Sequence, residues 1–442
     1  MGALEMPVRG ISTAKSVAFV SLSLVGLVLF PSIETGLFAL GFWLFLWGRT
    51  VGWREAVVGA FVLSCVLASS REEGLQYWKE VRLGMAGMVV LEALRIMREQ
   101  STTFRRRQIG WVLVIFLCTG FPALLSEEAR AGFLETILLG GMWFSMMVVG
   151  TSELSEERQQ VRVRFLLLLA WSIGIASALV TLASTEVGFL HERWRGIFGN
   201  PNEFSHWWIF VTLLAIAYYA NRWREASTWI LAGLAILALT GSRGALVSTI
   251  LAVLAFALKW FGQGRKAFWL PIALTAIPLA VTQFLWLPPL VESLPISMTR
   301  EQTVNAETGR LLAWKYAVEE IKKEPWFGQG GGYDERYFKE NYRFFADQNH
   351  QGLSHNSWLA FSMNYGILAG ISLILVLMSR LQLFRPTIGI LVWPAIFFSL
   401  TVEGWLTAPL NALSPMLFFV GGLIGQLNPL PAIDHNDESS AR

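Results

Sequence analysis

The feature that most constrains this chain is a series of apolar stretches, many of them near the length needed to cross a lipid bilayer, that repeats from one end of the sequence to the other. A spanning helix needs roughly 20 largely apolar residues, because backbone polar groups inside hydrocarbon must be satisfied within their own helix. Seven such stretches precede residue 184 and seven start at or after Phe204, some of them short. The pattern predicts an all-α polytopic membrane protein with about 12 (12–14) transmembrane helices. Composition agrees, since 54% of the 442 residues are hydrophobic and 15% are charged, with a mean hydropathy of +0.49. That is too apolar for a water-soluble fold of this size. The one long polar block is 287–355. Residues 1–286 therefore read as membrane helices, 287–355 as an external loop, 356–427 as further membrane helices and 428–442 as a tail, within one membrane domain. Inside the loop, Leu311, Trp314, Val318 and Ile321 recur at helical spacing opposite Lys315, Glu319, Lys322 and Lys323, which predicts an amphipathic helix over about 309–324.

Lys and Arg are retained in short cytoplasmic loops, so they set the orientation. Arg95 to Arg107, Arg222 with Arg224, Lys259 with Arg265 and Lys266, and Arg380 with Arg385 mark four such loops. Alternation between them puts both termini in the cytoplasm and sends 191–203, 240–244 and 287–355 to the opposite face. Arg9 and Lys15 precede the first apolar stretch without a convincing small-residue cleavage site after it, so a retained first helix is expected. The net charge of +3 is spread between apolar runs rather than along a stripe, which disfavours nucleic acid. Cys65 and Cys118 fall inside apolar runs, where thiols pack as small hydrophobes, so neither a disulfide nor a zinc site is expected.

Four segments on the outer face could carry chemistry. In R-W-R-G-I-F-G-N-P-N-E, Arg193 and Arg195 precede a turn built on Gly196, Gly199 and Pro201, with amides at Asn200 and Asn202. The same stretch also reads as a capped turn whose arginines meet lipid headgroups. In T-G-S-R-G, Arg243 sits between Gly241 and Gly244, either snorkelling to the interface or held in a crevice that the glycines open. Arg310 in T-G-R-L-L-A-W opens the expected amphipathic helix, where the positive end of the macrodipole disfavours a cation unless an anion lies near. In S-H-N-S-W, His355 lies beside Asn356 at the return to the membrane, with His350, His191 and His206 as weaker candidates. Guanidiniums gathered on one face repel one another unless an anion is expected, and their planar fork suits a diphosphate. An imidazole titrating near neutrality adds a group able to take a proton from a hydroxyl.

At these residues the chain resembles the O-antigen ligase and O-antigen polymerase superfamily, membrane glycosyltransferases of C-type architecture. The stretches that carry the likeness are R-x-R-G-I-F-G-N-P-N, T-G-S-R-G, G-R-x-x-x-W followed by W-F-G-Q-G-G-G, and S-H-N-S-W-L, in order across about 193–370. The resemblance implies transfer of a glycan from undecaprenyl diphosphate to an acceptor sugar at the periplasmic face of a bacterial inner membrane, without metal or nucleotide cofactor. It implies that Arg195 (or Arg193), Arg243 and Arg310 hold the diphosphate and that His355 acts on the acceptor hydroxyl. Asn200, Asn202, Asn356 and Trp314 are the further expected substrate contacts. The acceptor is expected to be lipid A-core, as in a ligase; a polymerase would use a second lipid-linked glycan. A secondary transporter is the rival from another class, with Glu92 and Glu135 as its intramembrane charges.

Overall fold

The computed structural model describes residues 13–70, 73–125, 129–152, 155–190, 193–261, 301–347, 354–380, 389–406, 411 and 413–427. The apolar run expected over 267–287, the tail 428–442, His191 and His350 lie outside them. The N-terminal half is a series of helices: α1 (Thr13–Leu29), α2 (Ile33–Thr50), α3 (Trp53–Ser69), α4 (Trp78–Glu99), α5 (Thr102–Leu125), α6 (Ala129–Gly150) and α7 (Glu156–Ala183). A short turn, α8 (Thr185–Gly188), leads into a hairpin of β1 (Phe189–Leu190) and β2 (Arg193–Trp194), in which Phe189 faces Trp194. Then follow α9 (Pro201–Tyr218), α10 (Trp223–Thr240) and α11 (Arg243–Phe261). The remainder holds α12 (Glu301–Lys323), α13 (Tyr333–Glu340), α14 (Tyr342–Asp347), α15 (Ser357–Arg380), α16 (Gly389–Val402) and α17 (Leu413–Ile424). Among the described residues the chain is all-α apart from the hairpin.

Local chemistry places the helix ends. Ser32 caps α2 by accepting from the Thr35 amide, and Ser155 caps α7 with Glu156 and Glu157 in the first turn, where the macrodipole favours acids. Helices α3, α9 and α17 are buried on nearly every side. A helix apolar all round belongs inside a bundle: α9 packs against α17, and α3 is enclosed by α2, α4 and α7. Trp143 of α6 stacks on Phe361 and Phe418 while its indole N–H donates to Ser414 Oγ at 2.7 Å. On the periphery, Phe38, Leu91, Leu117 and Leu182 are exposed, an apolar outer surface that suits lipid better than water. Among the described residues three helices are long and apolar enough to cross a membrane: Gly132–Gly150, Glu156–Ala183 and Ser357–Leu377. Lys15–Leu29, Arg243–Ala257, Val392–Val402 and Leu413–Ile424 are apolar but shorter.

Two features depart from the sequence pattern. The amphipathic helix begins at Glu301 rather than near 309, so Arg310 lies more than two turns inside it and meets no helix N-terminus. Its buried face is Ala313, Ala317 and Ile321, while Val318 is exposed. The second departure is a break in α15 at Gly366, whose φ of 81° and ψ of 172° are closed to other residues. The segment Pro325 to Gly330 packs into the break: Gln329 N–H donates to Met363 O, Gly330 N–H to Asn364 O, and Ile367 N–H to Pro325 O, each at 2.8 Å. The W-F-G-Q-G stretch thus satisfies backbone groups that the break would otherwise leave bare.

Candidate active site

The hairpin and the N-terminus of α9 set the first cation. Asn200 caps α9 by accepting from the Asn202 amide, and Pro201 at the first helical position fixes the entry of the chain. Arg193 crosses to α10, where its Nε donates to Thr240 O at 2.8 Å. A cation is favoured there by the carbonyls of the last turn. Gly241, in the left-handed conformation that ends α10, lies directly against the Arg193 side chain. The other end of the guanidinium donates to Asn202 Oδ1.

Asn202 in turn connects to a residue that the sequence reading did not single out. Its Nδ2 donates to Glu403 Oε1 at 2.9 Å. Glu403 directly follows α16 in T-V-E-G-W, and its carboxylate also meets Arg310 (Nη2 to Oε1, 3.4 Å) and His355 (Nδ1 to Oε2, 3.5 Å). Its main-chain oxygen accepts from both Ser357 N–H and Ser357 Oγ, which ties the end of α16 to the start of α15. Burial raises the Glu403 pKa, but the hydrogen bond with His355 and the charge of Arg310 outweigh it and hold the carboxyl at about 2. The group is therefore an anion at neutral pH. Its side chain is 12% exposed, against 22% for His355 and 35% for Arg310, so the carboxylate lies beneath the two groups it supports.

His355 has a φ of 45° and is the one non-glycine residue with positive φ among the described residues. Such a conformation costs energy and persists where the surroundings impose it. Gly404 packs beside the His355 backbone, with space for no more than ordinary contact. Next to it, Asn356 Oδ1 accepts from the Trp358 and Leu359 amides and caps α15. Trp314 donates its indole N–H to Ser354 O at 2.7 Å, which fixes α12 across the same junction.

The other anticipated residues divide. Arg243 begins α11 between Gly241, which touches Arg193, and Gly244, which packs on Val402, the neighbour of Glu403. It thus belongs to the same end of the bundle as Arg193, Arg310 and His355. Arg195 turns elsewhere: it is buried, and its guanidinium donates to Val187 O at 2.8 Å and Glu186 O at 3.5 Å, bracing the hairpin. Asn200 and Asn356 serve as helix caps. His206 is buried in α9, with Nδ1 donating to Asn202 O at 2.7 Å.

A groove of about 720 Å³ opens beside this cluster between α12, α15 and α16. Asn356, Trp314 and Thr401 border its upper part, Lys315 and Lys322 line its α12 side, and Ile367, Ile371 and Ile374 continue it along α15. One carboxylate thus shares a site with several arginines and an imidazole. Such a site has capacity for an anion, and an imidazole whose Nδ1 faces a carboxylate presents Nε2 as a base. A lone Glu following an apolar run, as in T-V-E-G-W, is the one local trace that Glu403 leaves in the sequence, and it does not announce the partners.

Residues 226–374, about a third of the chain, match a family model described as O-Antigen ligase. The match includes Arg243, Arg310, Trp314, His355 and Asn356 and stops short of Arg193, Asn202 and Glu403. No curated protein matches the chain.

Proposed function

We propose, from the premise that this chain carries the domain of the O-antigen ligase superfamily, that it transfers a glycan from undecaprenyl diphosphate to a sugar hydroxyl, with lipid A-core as acceptor. The observation that carries the reading is the meeting of Arg310 and His355 on Glu403, with Arg193 joined to the same carboxylate through Asn202, beside a largely apolar groove that Asn356 and Trp314 border. The groove suits a polyprenyl chain, with the diphosphate lying at its mouth beside Arg243 and Arg310. His355 Nε2 takes the proton of the acceptor hydroxyl, and the freed oxygen attacks the anomeric carbon from the side opposite the diphosphate. The bond from that carbon to the diphosphate oxygen breaks, with inversion, and the electron pair leaves on the diphosphate. Charge grows on that leaving oxygen in the transition state, where preorganised guanidiniums contribute about 3 to 4 kcal/mol apiece. Glu403 touches neither reactant and acts as a positioning residue for His355 and Arg310. The active site faces the periplasm of a bacterial inner membrane, both termini are cytoplasmic, and no metal or nucleotide takes part.

The test is incubation of purified protein with an undecaprenyl-diphosphate-linked glycan and either lipid A-core or a second lipid-linked glycan. Release of carrier diphosphate and a ligated product only with lipid A-core supports the ligase; chain growth with the second acceptor makes it a polymerase. One observation favours a transporter: α15 is broken at Gly366, and Asp334 sits there hydrogen-bonded to Asn364. Glycan uptake into proteoliposomes driven by an ion gradient, with no carrier released, would replace the transferase reading.

A further inference from the structure

The end of the bundle away from Glu403 holds a second cluster of charge that glycan transfer does not use. Helix α7 has 28 residues, about 40 Å at 1.5 Å per residue, and its last turn leads to the hairpin that bears Arg193. Its first turn, with Arg158, therefore lies about a bilayer's thickness away. There the α2–α3 turn, the end of α4 and the start of α7 enclose a bowl of about 300 Å³ lined by Trp53, Arg54, Glu55, Glu92, Arg95 and Arg158.

The carboxylates of this bowl are already engaged. Arg54 meets Glu92 at 2.9 Å and Glu99 at 2.7 Å, Arg95 meets Glu99 at 2.8 Å, and the fully buried Arg162 holds Glu55 at 2.9 Å. Arg158 is exposed and has no carboxylate within ion-pair distance among the described residues. The walls set three arginines against two glutamates, which leaves one net positive charge facing the opening. Leu91, one turn back from Arg95, and Leu94, directly before it, are exposed on α4, and Trp53 at the rim is 45% exposed. Indole rings favour the headgroup level of a bilayer.

We propose that this bowl binds the phosphodiester headgroup of an anionic phospholipid, with its acyl chains lying along Leu91 and Leu94. The guanidinium of Arg158 supplies a fork that matches the phosphate oxygens, with Arg95, held by Glu99 and Glu92, adding positive charge beside it, and a basic pocket between helices at the membrane surface is a suitable seat for such a lipid. The site is independent of the transfer reaction.

Native mass spectrometry of the purified full-length protein, titrated with phosphatidylglycerol, phosphatidylcholine or inorganic phosphate, tests it. Phosphatidylglycerol is expected to bind at least tenfold more tightly than phosphatidylcholine, and R158E is expected to lose that preference. R158Q should weaken it in part, which guards against misfolding of the reversed variant. R106E, a matched change on the exposed first turns of α5, should leave it intact. Equal affinity of R158E and wild type, or equal loss in R158E and R106E, overturns the site. Inorganic phosphate competing as tightly as the lipid overturns the role of the acyl chains.

Discussion

The two ends of the bundle use the same residue types to opposite effect. At the α7 N-terminus, Arg54, Arg95 and Arg162 are matched by Glu55, Glu92 and Glu99, with Arg158 in surplus at the rim, and the pair that matters most, Arg162 with Glu55, is sealed inside. At the other end a single carboxylate, Glu403, is shared by Asn202, Arg310 and His355. Matched charges close on themselves and fasten helices. Cations in excess of their anion, left partly open to solvent, have bonding capacity to offer an incoming anion. Stoichiometry of charge, more than the number of charges, separates a fastening from a site.

Changes at the Glu403 end should therefore stop chemistry while those at the Arg162 end should cost folding. His355→Asn keeps a residue that tolerates positive φ yet removes the base; transfer should fall by about 10²- to 10⁴-fold, read as product per folded enzyme, and a wild-type rate would remove His355 from the chemistry. Arg162→Ala leaves Glu55 buried and unpaired, which should lower stability by about 3 to 5 kcal/mol with turnover per folded molecule unchanged. Denaturant or thermal unfolding in detergent reads the first, the transfer assay the second. A turnover loss in Arg162→Ala as large as that of His355→Asn would erase the distinction between the ends.

Smaller effects sharpen it. Glu403→Gln weakens charged hydrogen bonds to His355 and Arg310, and transfer should drop by roughly 10- to 100-fold, the equivalent of about 1.5 to 3 kcal/mol. The carboxyl is held at about 2, below its ordinary 4.5, so its contribution to stability is complete above pH 4.5 and is lost as pH falls toward 2. The variant should lose less stability than wild type across that interval. Asp334 runs the other way. Burial pushes it up to about 6 from 3.8 even with Asn364 hydrogen-bonded to it, so the folded state favours the protonated form and its contribution declines as pH rises from 3.8 through 6. Asp334→Asn should raise the melting temperature slightly at pH 8 and hardly at all at pH 4; the reverse order would mean that the carboxylate is stabilised where it sits.

The helical character of the chain was legible, as were Arg193, Arg310 and His355 as candidates, because each rests on local pattern: apolar runs, arginines near glycines, a histidine at the start of a helix. Glu403 was not. Its partners Arg310 and Asn202 lie 93 and 201 residues away in sequence, and no local periodicity encodes such a meeting. The choice between Arg193 and Arg195 was equally hidden, since the turn after Trp194 sends one guanidinium to Thr240 and the other to Val187. The early start of α12 escaped because E-Q-T-V-N-A-E-T has no apolar stripe to announce a helix. The capping roles of Asn200 and Asn356 were partly readable, since each amide stands directly before or close to an apolar run.

The break in α15 ties the cap formed by residues 325–330 to the bundle in an unusual way. Met363 and Asn364 lend their carbonyls to the Gln329 and Gly330 amides, and Pro325 returns one to Ile367. Neither strand of chain can detach without stranding the other's donors and acceptors, so they should open as one cooperative unit. Deuterium uptake at those three amides would then share a single rate, set by the departure of the whole cap instead of by fraying of a loop.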